Sequence, residues 1–464
     1  MAGWFSRLMG RETAVAGATL GASGGVGSVP RAAVARAPSP PTAPPAAPPA
    51  TPPCAPVATL VAGAATAPFG VRRPLVGPKG GVAAFEVLLP PALEQRLALR
   101  GDEHTRAANQ ALLLAAAAPV CKAGRMAVLN ISAQALLRPG VAQQAPAGAL
   151  LCVQDLASLP LELALALRAR GLKLGVPDMP AAQAPMADFV LLRAPAGGLD
   201  TLMLSAQHWR SARPKLPLLA SGLQHLDDVE RLLRSGFALV GGVLDRGMAA
   251  PATRPLSAAA HRICELLNHL SLDRDTSVVA DAVRSDVALS YRFLRYANSP
   301  AIGLRRSVES VDDAVSLLGR QELYRWLSVL LMTVAESRQA SRALQETALA
   351  RGRLLEALAR QCQEPAPQTL FTIGMLSMME VVLQVPLADA LLPLRLSEPV
   401  RQALLSRQGP YAPYLALAQA LDGDDLASVE ALAGPFGGLS AVQMLADEAW
   451  AWAQEMSQGS AAEA

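Results

Sequence analysis

Between Gly81 and Asp245 the chain repeats one unit, a short apolar run followed by a stretch with helical periodicity. The runs that read as strands are Val82–Leu89, Met126–Ile131, Ala149–Val153, Leu172–Val176, Phe189–Leu192, Leu216–Ala220 and Leu239–Leu244. Intervening helices are predicted at Asp102–Ala118, Leu159–Arg170 and Leu226–Ser235. Strands separated by helices are joined most simply as parallel neighbours with crossover connections. A closed barrel and an open doubly wound sheet both satisfy this pattern.

Ser285–Gly319 carries a different signature, that of a helix, a sharp break and a second helix. Leu289, Phe293 and Tyr296 recur at three- and four-residue spacing and line one apolar stripe. Asn298-Ser299-Pro300 stops that helix, because proline cannot continue the hydrogen-bond ladder, and Gly303 frees the backbone to turn. Ser310 opens the next helix, with Asp312 and Asp313 in the first turn where the helix dipole favours carboxylates. Its apolar face is Val311, Ala314, Val315 and Leu318, and Gly319 is a candidate C-terminal cap. Trp326, Leu327, Val329, Leu330, Leu331 and Val334 read as core. Arg292, Arg295, Arg305, Arg306, Arg320 and Arg325 gather around the break. They read first as solvated helix faces and caps, with a partner contact through phosphate or carboxylate as the sharper alternative.

Composition limits the rest. Apolar residues make up 52% of 464 residues but aromatics only 4%, so alanine and leucine do most of the packing. A net charge of +3 on so long a chain argues against nucleic-acid binding by bulk electrostatics. The five cysteines (54, 121, 152, 264 and 362) show no C-x-x-C pair or metal spacing, as expected of thiols in a reducing cytoplasm. No uninterrupted apolar run reaches the roughly 18 residues of a membrane span, so a cytoplasmic protein is expected. From Gly17 to about Pro78 the chain is rich in Ala, Pro, Gly, Ser and Thr, with too little to bury, and reads as an extended spacer. Ahead of it, MAGWFSRLMG has the makings of one short amphipathic turn. Gly241-Gly242 and Gly24-Gly25 lack the flanks of a phosphate loop, and His225 beside Asp227 and Asp228 reads as an exposed helix start.

Two family resemblances narrow the fold. The residues DVALSYRFLRYANSP, the IGLRR turn and AVSLLGRQELYRWL, continued by FTIGMLSMMEVVLQVPL and LSEPVRQALL, resemble the HDOD domain, a bacterial all-helical signalling module related to HD-GYP phosphodiesterases. Upstream, Phe85-Glu86-Val87-Leu88-Leu89, VLNIS at 128–132, GLKLGVPD at 171–178 and SGFALVGGVL at 235–244 resemble, in order, motifs of EAL domains, the cyclic di-GMP phosphodiesterases. The fold class implied is α/β plus all-α: a degenerate TIM-like (β/α) EAL barrel followed by an all-helical HDOD domain. The implied domains are a disordered Ala/Pro/Gly-rich segment at 1–78, the barrel at 79–248, the HDOD domain at 255–450 and a flexible tail at 451–464.

The resemblance also says which chemistry to look for. Active EAL domains hold divalent metals with carboxylates and an asparagine, and the metals activate a water against a phosphodiester. Carried over residue by residue, Glu86 and Asn130 remain at ligand positions. The arginine after E-A-L-L is Pro90, the second-strand glutamate falls near Val153-Gln154, and the paired aspartates are Pro177 and Asp178. The lysine and aspartate of the K-x-D strand fall at Leu191 and Arg193, and the late glutamates at Ser221 and Gln224. Glu86, Asn130 and Asp178 are therefore read as structural remnants, and cyclic di-GMP is not an expected ligand. HD-type enzymes need several histidines and an adjacent His-Asp pair, but the five histidines (104, 208, 225, 261 and 269) all precede FTIGMLSMME. The positions matching the pair there hold Ser377 and Met378.

The expectation is a non-enzymatic signal-transduction protein with no catalytic, cofactor or metal residues, partnered by other signalling or regulatory proteins and not by nucleic acid. In one mechanism the two domains pack together and a partner shifts their arrangement. The alternative is a non-hydrolysing sensor of cyclic di-GMP or another nucleotide.

Overall fold

The computed structural model describes residues 71–461, apart from 90–94, 96–98, 100–102, 195–197, 246, 248–255, 273–274, 300–301, 305, 334–337 and 424–425. The amphipathic turn, the Ala/Pro-rich spacer up to residue 70, Gly24-Gly25, Cys54, Pro90, Pro300, Arg305, Val334 and the His104 side chain lie outside the described residues. Helices of eight or more residues are numbered below.

Eight strands close into a barrel in chain order: β1 Val71–Val76, β2 Val82–Leu88, β3 Met126–Ile131, β4 Ala149–Val153, β5 Lys173–Pro177, β6 Phe189–Arg193, β7 Leu218–Leu223 and β8 Leu239–Gly242. Pairings from β2–β3 to β7–β8 are parallel, whereas β1 runs antiparallel to both β2 and β8. Closure decides between the two architectures that the strand–helix alternation left open. Crossover helices are α1 Glu103–Lys122, α2 Leu161–Ala169, α3 Leu199–Ala212 and α4 Leu226–Arg234.

The expected domain start at 79 is corrected by β1, which places the barrel's first residue at Val71. VRRPLV hides its strand character, because two arginines and Pro74 break the apolar run. Proline is tolerated because β8 pairs only with Leu75 and Val76, leaving the β8-facing side of Pro74 outside the ladder.

Side chains alternate in and out along each strand. Leu75, Ala84, Val128, Leu150, Cys152, Phe189, Leu191, Leu219 and Leu239 pack together as the barrel's apolar filling. Gly175 makes room in that filling, since a Cβ there would run into the Phe189 ring.

The second half is all-helical, with α5 Ala258–Ser271, α6 Ser277–Arg284, α7 Val287–Ala297, α8 Val311–Thr333, α9 Ser341–Gln361, α10 Pro367–Leu376, α11 Ala412–Asp422, α12 Leu426–Ala433 and α13 Leu439–Ala461. Helix α13 runs through the expected tail at 451–464 as far as Ala461, which corrects that boundary. Trp450 and Trp452 explain why: their rings sit 4.9 Å from Phe85 and 6.0 Å from Phe371, respectively. Gly319 (φ 72°, ψ 176°) is non-helical and divides α8 into two helical stretches, ending the one that Ser310 opens before a second runs on to Thr333. Among the described residues no helix is long and apolar enough to cross a membrane.

Candidate functional site

The parity that fills the barrel also composes its mouth, the end towards which the parallel strands run. Two residues beyond Ala84, Val128, Leu150, Leu191 and Leu219 come Glu86, Asn130, Cys152, Arg193 and Ser221. Glu86 is buried at 1% exposure. Its carboxylate accepts a hydrogen bond from Arg193 Nη2 at 2.5 Å, and Ser221 Oγ lies 3.5 Å from the same oxygen. Arg193 is the residue at the position of the K-x-D aspartate. A cation of the chain thus stands where the resemblance would place a metal-binding anion, and it neutralises the surviving glutamate. Burial pushes the neighbouring Cys152 thiol up to about 12, with Arg193 opposing and Glu86 adding to the shift. A thiol held neutral in this way is inert as a nucleophile or ligand.

The remaining EAL-type positions have varied surroundings. Asn130 is half-buried on β3, in register with Cys152. Asp178 is drawn away to α3, where its Oδ1 accepts from the indole nitrogen of Trp209 at 3.1 Å. Gln154 is exposed, and the next residue, Asp155, accepts from the Ala133 amide at 2.8 Å. His225 stands at the N-terminus of α4 with Asp227 and Asp228 in the first turn, as a helix start.

The helical half contains a fully buried cation, which sequence reasoning missed. Arg351 on α9 has no exposed side-chain surface and donates to three elements: Nε to Asp422 Oδ2 at 2.8 Å, Nη1 to Ser377 Oγ at 2.9 Å, and Nη2 to Asp245 Oδ2 at 2.9 Å. Ser377 is the position where the resemblance sets the His-Asp pair, and Asp245 comes from the barrel. A guanidinium, with donors in a fixed fork, occupies this pocket. Only the interruption of the apolar α9 face by Arg351 hinted at it. Among the described residues no group of three or more His, Cys, Asp and Glu converges as a metal site.

The arginines near Ser285–Gly319 do not form one patch. Arg325 is buried, pairs with Glu356 at 2.5 Å and stacks over Phe371 at 4.3 Å. Arg320 donates to the Leu270 carbonyl at the end of α5 at 3.0 Å, and exposed Arg306 lies 3.9 Å from Asp313. The break itself is an architectural joint. Asn298 brackets Val308, donating from Nδ2 to its carbonyl and accepting from its amide, each at 2.8 Å.

The fold is a closed eight-stranded barrel followed by a helical half, in which residues 254–396 match the HDOD domain family. Among particular proteins, the uncharacterized protein YuxH of Bacillus subtilis is 28% identical over 213 residues, 45% of this chain and 52% of that protein. The cyclic di-GMP phosphodiesterase CdgJ of Vibrio cholerae is 27% identical over 176 residues, 38% of this chain and 40% of that protein. The chain thus spans about half or less of the length of these curated relatives. Among solved structures, a PaMucR phosphodiesterase in complex with c-di-GMP is similar over 38% of this chain and 93% of its own, at 18% identity and a TM-score of 0.30. An EAL domain protein of Listeria monocytogenes is similar over 38% and 85%, at 13% identity and a TM-score of 0.30.

Proposed function

We propose that this chain is a non-catalytic regulatory protein of cyclic di-GMP signalling, acting through contacts with other signalling proteins. The observation that carries the reading is the Arg193–Glu86 pair across the barrel mouth. Hard divalent cations need several anionic oxygens to converge. Here one carboxylate is present, already neutralised, beside an amide at Asn130, a serine and a neutral thiol. These residues do not fit the divalent metals of active EAL domains, and a guanidinium lacks the open coordination position that activates a water. Arg351 in the helical half supports the same reading, because it sits against Ser377 with its donors committed to Asp245 and Asp422. The placement in cyclic di-GMP signalling draws on the name of the relative CdgJ.

Incubation of the purified chain with cyclic di-GMP and Mg²⁺ or Mn²⁺ tests the loss of chemistry. No linear pGpG above the protein-free control is expected; metal-dependent release that Glu86→Ala abolishes overturns the reading. Co-purification from cells followed by mass spectrometry tests the partner half, and recovery of the protein alone under gentle conditions counts against it. Binding heat with cyclic di-GMP, without turnover, turns the assignment towards a sensor.

A further inference from the structure

The contact between the two halves includes charge pairs that run in both directions across it. Both halves fall within one compact unit. The barrel offers Arg72 to Asp447 on α13, and Arg125 to Glu346 on α9 and to Gln454 Oε1 at 2.8 Å. In return Arg338, just ahead of α9, reaches Asp227 Oδ1 at 2.6 Å and Glu230 Oε1 at 3.2 Å on α4. Thirteen residues on, Arg351 reaches Asp245. Between them the Ala343 amide donates to the Gly80 carbonyl at 2.8 Å. Gly80 (φ 76°) is required there, because a Cβ would run into the Gln339 carbonyl. The N-terminal half of helix α9 is therefore seated on the barrel.

Asp245 differs from the other barrel acids in what it reaches. It follows β8 by three residues, and its approach is fixed by Val243, whose amide donates to Leu223 at 2.8 Å and whose side chain, like that of Leu244, is 2% exposed. The carboxylate ends in the pocket formed by Arg351, Ser377 and Asp422, inside the other half. Ser221, which faces Glu86 at the mouth, lies two residues before Leu223 on β7. The mouth of the barrel and the Arg351 pocket are thus joined by two short, hydrogen-bonded strand ends.

We propose that Asp245 is a built-in plug: the barrel supplies the carboxylate that occupies the Arg351 pocket of the helical domain, and the plug makes the two halves one cooperative unit instead of hinged modules. A partner then meets one rigid platform, and the pocket at Ser377 is closed to outside ligands while the plug is in place. The coupling runs through packed, hydrogen-bonded elements that both halves share. Removing Asp245 leaves the fully buried Arg351 with Asp422 but without the barrel's share of its anionic compensation, so the loss is felt on both sides of the junction.

Native-state hydrogen exchange of the full chain in sub-denaturing urea tests this. In the wild type, amides of β8 and of α9 around Arg351 are expected to open together, with one urea slope; separate slopes for the two elements overturn the proposal. With Asp245→Asn, which keeps the volume and removes the charge, exchange in α9, α10 and the β7–β8 ends is expected to rise at least tenfold while β3–β5 stay within twofold. Asp422→Asn breaks a pair internal to the helical half, so it is expected to speed exchange in α11 and leave β7–β8 protected. If Asp245→Asn changes nothing beyond twofold, or raises exchange evenly through the chain, Asp245 is no plug.

Discussion

Arg193 and Glu86 stand on β6 and β2, four strands apart in a closed barrel of eight, so their 2.5 Å ion pair spans the mouth from one wall to the opposite one. The glutamate has 2% of its side chain exposed and the arginine 49%, so the pair is anchored on the buried carboxylate and wetted on the guanidinium side.

Arg193→Met removes the cation that reaches the buried Glu86 from across the mouth. Breaking a fully buried pair costs about 3–5 kcal/mol, and because Arg193 is half-exposed we expect about 2–3 kcal/mol here. Urea denaturation measures it, and adding Glu86→Gln to the same chain should recover a large part of the loss. Equal stability of wild type and Arg193→Met would show that the pair does not hold the mouth together.

Gly175→Ala puts a methyl against the Phe189 ring within the barrel filling. Overpacking of this kind costs about 1–3 kcal/mol. Trimming the ring in the double variant Gly175→Ala/Phe189→Leu should return part of that stability, whereas additive losses in a double-mutant cycle would argue that the two sites do not touch.

Glu356 has no exposed side-chain surface and accepts from Arg325 at 2.5 Å, Arg360 at 2.7 Å and Arg353 at 3.0 Å. Glu356→Gln should therefore destabilise the helical half by about 3 kcal/mol or more, since it removes the shared anion of three cations. Arg306→Ala, at a side chain 66% exposed, should stay within about 0.5 kcal/mol. Thermal unfolding of both variants separates the structural arginines from the surface ones.

Burial raises the Cys152 thiol from 9.0 to about 12 and the Cys264 thiol to about 11. The folded chain keeps both protons at a pH where the unfolded chain has released them. Their contribution to stability is thus fully present below pH 9 and is lost as pH rises from there towards about 12. Cys152→Val should flatten that alkaline decline relative to wild type. Iodoacetamide at pH 8 should modify Cys152 and Cys264 only after unfolding, and rapid native labelling of Cys152 would contradict the packed mouth.

Local pattern carried most of the fold. Seven of the eight strands were legible as apolar runs, and the Asn298 break was legible as a joint, because strand and helix periods are written in neighbouring residues. What escaped depends on distance. Nothing in VRRPLV signals a strand until β2 and β8 flank it, and nothing after Gln454 shows that α13 continues until Trp450 and Trp452 meet Phe85 and Phe371. The site shows the same limit. Arg193 was visible as a missing aspartate, but its partner is 107 residues away, and the partners Asp245 and Arg351 are 106 apart. Such pairings are fixed by strand order and helix docking, and a single sequence does not display them.

The reversed direction of β1 has a consequence for how the chain is wired. Val71 pairs with Leu88, at the end of β2 that opens onto the mouth, because β1 runs against every strand it touches. The seventy residues that precede Val71 are therefore joined to the protein at the mouth and not at the barrel floor. The entry of the chain into the barrel and the Arg193–Glu86 pair thus lie at the same end of the fold, so a change at Val71 acts on the mouth and not on the floor.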